Sequence, residues 1–121
     1  MANEKTLIEE FSVKDLEDGS ALRIEVVACT ELGNNGKPGL QVLWMGYIVN
    51  FEPNLAERWN YQAKKAGGGP LLLEDSSWLA HTDQFIKIYF VPGEPPMARV
   101  EVKSRTTDTP VVKEYPLPFS F

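Results

Sequence analysis

The sequence predicts a mainly β domain: an antiparallel β-sandwich of six to seven strands, immunoglobulin-like or jelly-roll-like, or a short partly open barrel, with one short α-helix near residues 55–66. Three observations carry this prediction. β-Branched and aromatic residues recur in short runs, as in residues 21–32, 40–51 and 84–91. Those runs are separated by breaks rich in Gly, Pro and Asn, such as residues 33–39, 67–70 and 92–96. A single stretch combines helical spacing with end signals.

Taken in order, residues 5–13 place Leu7, Ile8, Phe11 and Val13 among Glu9 and Glu10, the mixed pattern of a charged edge strand. Residues 14–20 turn the chain. Residues 21–32 alternate well: Leu22, Ile24, Val26, Ala28 and Leu32 fall on one face, and Arg23, Glu25 and Glu31 on the other. The Gly-Asn-Asn-Gly-Lys-Pro-Gly loop after it supplies positive φ angles for a hairpin into residues 40–51. That next run, LQVLWMGYIVNF, is apolar on both faces when read with a period of two. It is therefore expected to be one strand covered on both sides, at the centre of the domain or beneath another chain.

Residues 54–67 are the helix. Asn54 is the expected cap with Glu57 three residues on, Leu55, Trp59, Ala63 and Ala66 draw an apolar stripe, and Lys64 and Lys65 fill the last turn. The triple glycine at 67–69 breaks the chain, residues 71–73 are a short apolar step, and residues 74–83 read as a polar loop or a single helical turn. Residues 84–91 and 97–105 form a hairpin, and residues 111–115 form a last short strand. The tail, residues 115–121, sets Tyr115, Leu117, Phe119 and Phe121 between two prolines, so its apolar side chains need cover without sheet pairing.

At 121 residues, 43% hydrophobic and 24% charged, the chain is expected to be one globular domain, 1–121, able to bury a core without cross-links. The net charge of -5 is local: residues 1–31 hold eight acids against Lys5, Lys14 and Arg23, and the rest of the chain balances at nine and nine. Without clustered Lys and Arg, a nucleic-acid partner is not expected. The lone Cys29 excludes an intrachain disulfide and is expected to be a small buried apolar residue. No run approaches the length of a membrane span and no leader pattern opens the chain, so a cytoplasmic setting is expected, with non-classical release or a removed leader also compatible.

His81 is the single histidine, so no metal site or triad needing two imidazoles forms in one chain, and neither metal nor cofactor is expected. His81 with Asp83 and the nearby serines has the residue types of acid–base chemistry at no diagnostic spacing. Trp78 stands in a polar segment after the triple glycine, where a tryptophan serves to anchor a sugar ring or a protein. The candidate binding set is accordingly Trp78, His81, Asp83, Tyr115, Phe119 and Phe121. The expected function is a non-catalytic module that self-associates as a homo-oligomer, or binds a protein or carbohydrate partner, through this aromatic loop and tail. Two alternatives stand beside it. One is a small β-barrel around an apolar ligand lined by Met45, Tyr47 and Phe90, with or without isomerase or hydrolase activity; the other is an acidic inhibitor or immunity-type protein.

Overall fold

A computed structural model of the chain describes residues 4–14, 21–32, 36–76, 85–103 and 109–121. Four strands, β1 (Lys5–Lys14), β2 (Ala21–Leu32), β3 (Lys37–Trp44) and β4 (Tyr47–Phe51), form one antiparallel sheet in that order. Helix α1 (Pro53–Lys65) leads to a second antiparallel sheet of β5 (Leu71–Ser76), β6 (Phe85–Val91), β7 (Met97–Lys103) and β8 (Val111–Pro116). The first is called sheet A below, the second sheet B. Each is a meander, every strand pairing with its neighbour in sequence, so the expected antiparallel sandwich is built without the Greek-key crossovers of immunoglobulin or jelly-roll folds. It is not a closed barrel.

The alternating sequence pattern explains the layers. Leu22, Ile24 and Val26 of β2 and Leu40, Val42 and Trp44 of β3 point into the sandwich, opposite Ile86, Ile88 and Phe90 of β6 and Ala98, Val100 and Val102 of β7, and all are buried in one core. Helix α1 spans the end where β4 passes to β5. It buries Ala56 and Ala63 and wedges Trp59 between Phe51 and Phe90, with ring centroids 5.6 and 6.0 Å away. The helix begins a residue or two before its expected start: Glu52 is the cap by backbone alone, Pro53 takes the first turn, and Asn54 does not cap.

The largest departure from the sequence reading is at residues 40–51, which are not one strand. Met45 and Gly46 take φ of 47° and 81°, the two left-handed residues of a tight type I′ hairpin, and the chain reverses there. Trp44 then lies opposite Tyr47, Val42 opposite Val49 and Leu40 opposite Phe51. A two-residue reversal puts the even residues of β3 on the same face as the odd residues of β4, which makes two one-sided strands out of an apparently two-sided one. Among the described residues there are eight strands for this reason and because residues 71–76, expected to run from an apolar step into a polar loop, form β5 along the edge of sheet B.

Candidate functional site

The two sheets differ on the faces they turn outward. On sheet B the outward residues of neighbouring strands are matched in charge: Asp75 lies opposite Lys87 and Lys87 opposite Glu101, while Arg99 lies between Tyr89 and Glu114. Arg99 bonds Glu114 at 2.8 Å and stands 5.8 Å from the centre of the Tyr89 ring. This face sets charges of both signs opposite one another, with Leu72 and Val112 exposed among them.

Sheet A instead carries an apolar stripe. Leu7 lies opposite Val27, Leu43 lies opposite Ile48, and the pairing of Val27 with Gln41 and of Glu25 with Leu43 makes Val27 and Leu43 diagonal neighbours. The stripe thus crosses all four strands and ends at β4, which pairs with no further strand among the described residues. Leu7 and Ile48 are each 53% exposed. Within it Gln41 donates from Nε2 to Asn50 Oδ1 at 2.8 Å, so these amides satisfy each other and add no charge. Arg23, bonded to Glu10 at 2.9 Å and 3.9 Å from Glu25, forms the polar rim.

The hairpin tip continues the stripe. Met45, Tyr47 and Ile48 are the exposed residues there, with Tyr47 stacked on buried Trp44 at 5.7 Å. An open groove of about 270 Å³ lies between this tip and the Arg23 and Glu25 rim. Left-handed backbone is ordinary for glycine, asparagine or aspartate and costly for other side chains, so Met45 holds an unbranched apolar side chain out to solvent at a cost in stability. Gly39 supports the same face differently. A Cβ there would lie 2.5 Å from Leu32 Cδ2 and 2.8 Å from the Phe51 carbonyl oxygen, so only glycine lets Leu32 lie over the strand.

Of the residues singled out from sequence, Trp78, His81 and Asp83 lie outside the described residues. The tail lies on its own domain. Tyr115 is buried at the seam where the outer strand of sheet B meets that of sheet A, and its hydroxyl donates to Glu9 across the two sheets. Lys113 reaches the same carboxylate at 3.1 Å and stands over the Phe11 ring. The Tyr115 hydroxyl, then Lys113, hold the Glu9 carboxyl below the usual range, while burial and then the Glu9 bond push Tyr115 well above its own. The cluster is a latch between sheets. Leu117 is buried with its N–H on the Pro96 carbonyl, Phe119 packs against the core, and Phe121, half exposed, lies 6.4 Å from Phe90 and 5.8 Å from Phe119.

Cys29 is buried as expected, and burial pushes its thiol up and away from reactivity. Met45 and Tyr47 are 60% and 61% exposed while Phe90 is fully buried, so the three do not line a common cavity. Among the described residues no cluster of three or more His, Cys, Asp or Glu is placed to hold a metal ion, and no helix is long and apolar enough to cross a membrane.

Fold and surface together define a class: a two-meander sandwich with one face charged across its strands and one face carrying an uncharged stripe beside a charged rim. The chain matches no protein-family model, no curated protein and no solved structure.

Proposed function

We propose that this chain is an interaction module that binds polypeptide through the outward stripe of sheet A and the β3–β4 hairpin. The observation that supports the reading is the run from Pro38 to Phe51, which contains no charged residue yet exposes Met45, Tyr47 and Ile48. Solvent-facing hairpins are normally studded with charge, and apolar surface bounded by a polar rim is the make-up of a contact surface. Tyr47 on its Trp44 support is a rigid aromatic anchor of the kind that carries binding energy.

A photo-crosslinking side chain placed at Tyr47, compared with one at Tyr89 on sheet B, tests the reading in cells. Polypeptide adducts at position 47 that disappear with Ile48→Lys, and none at position 89, are expected. No adduct at position 47, or equal adducts at both positions, would contradict it.

A further inference from the structure

We infer that the partner is a second copy of this chain, joined by antiparallel pairing of β4 with β4 about a two-fold axis at Val49; the inference rests on the proposed function and names its partner. Among the described residues the sandwich has four sheet edges, and three carry the devices that prevent strand addition. β1 has Lys5, Glu9 and Glu10 with a bulge between Leu7 and Glu9; β5 has Glu74 and Asp75 with a bulge between Leu72 and Glu74; β8 has Lys113 and Glu114 and ends in Pro116. β4 has no charge, no proline and a regular register.

Its free backbone groups suit this partner. In the tight hairpin Trp44 and Tyr47 are a hydrogen-bonded pair, and alternation makes Val42–Val49 and Leu40–Phe51 the next ones. Ile48 and Asn50 therefore turn their N–H and C=O groups to the open edge. An antiparallel copy centred on Val49 sets Ile48 against Asn50 of the partner subunit twice over, which satisfies all four groups of each strand.

Charge points the same way. Two copies each carrying -5 repel over most approaches, and the uncharged hairpin is where they meet without opposing like charges. The second copy also presents β4 already extended, without the ordering cost of an unstructured peptide.

The test is the mass of the purified full chain across dilution, by light scattering after size exclusion, with melting curves to confirm folding. The chain is expected to move from 13.6 kDa to twice that mass as its concentration rises through the micromolar range. Asn50→Pro removes the outward donor and leaves the β3–β4 ladder intact; it is expected to weaken the dimer on the order of 100-fold. Asn50→Ala, which loses the Gln41 bond and keeps the N–H, is expected to dimerise. If Asn50→Pro fails to fold, amide exchange on the native chain replaces it: the Ile48 and Asn50 amides are expected to slow as concentration rises. A monomer at millimolar concentration would overturn the inference, and position-47 adducts with another polypeptide would then still support the module. A dimer that survives Asn50→Pro but not Leu43→Lys would also overturn it, since the copies would then meet face to face.

Discussion

Among the described residues, sheets A and B are both four-stranded meanders whose central strands bury their inward residues, yet their outer faces differ. Sheet B pairs Asp75, Lys87 and Glu101 across its strands and locks Arg99 to Glu114, whereas sheet A runs Leu7, Val27, Leu43 and Ile48 to an uncharged edge. Two sheets under the same folding demands need the same inner face, so inner faces report stability. Outer faces are free to differ, and the uncharged stripe of sheet A, bounded by Arg23, Glu10 and Glu25, is available for contact.

Inner-face substitutions should not tell the sheets apart. Phe51→Ala and Phe90→Ala each remove a fully buried ring beside Trp59 and are expected to cost about 3–5 kcal/mol in denaturant unfolding. A cost below about 1 kcal/mol in either would mean that the two sheets do not share one core. Gly39→Ala comes next, because its methyl group meets Leu32 and a backbone carbonyl; a loss of about 1–3 kcal/mol is expected.

Outer-face substitutions should separate the sheets. Arg99→Ala is expected to cost about 0.2–1 kcal/mol and leave association unchanged, since it breaks a partly exposed ion pair. Ile48→Lys on sheet A is expected to keep the melting temperature within a degree or two of the native chain, because Ile48 is 53% exposed, and to weaken association, because it sits on the pairing edge. Equal effects of the two on association would erase the distinction between the faces.

The pH response is the smallest effect and concerns the latch. Glu9 titrates below its ordinary range in the folded chain, so its contribution is present above that range and is lost as pH falls through it. Tyr115 titrates above its ordinary range, so its contribution is present below about pH 10 and fades as pH rises further. Glu9→Gln is expected to flatten the acid side of a plot of stability against pH; an unchanged acid limb would remove Glu9 from the latch.

Much of this fold was legible in the sequence because burial alternates where one face is wet. Ile86, Ile88 and Phe90 around Lys87, and Leu22, Ile24 and Val26 around Arg23 and Glu25, gave their strands and inner faces directly. The helix was legible from Trp59 and Ala63, although its cap is backbone at Glu52 and not Asn54. The hairpin at residues 40–51 was not, because Met45-Gly46 lacks the asparagine or aspartate that announces such a turn, and Gly46 alone was the remaining signal. β5 was hidden because an edge strand tolerates Glu74 and Asp75.

The candidate site was harder to read for the same reason. Its residues Leu7, Leu43 and Ile48 come onto one face, with Tyr47 exposed beside them at the hairpin tip, only after the chain reverses at Met45. The aromatic tail pointed elsewhere because its need for cover is met by its own domain, with Tyr115 and Leu117 buried.

Backbone amide chemical shifts followed from micromolar to millimolar concentration test the central claim most directly. Concentration-dependent shifts centred on residues 47–51 are expected, with the outer face of sheet B unchanged. Shifts centred on Lys87, Arg99 and Glu101, or a spectrum that does not change with concentration, would contradict it.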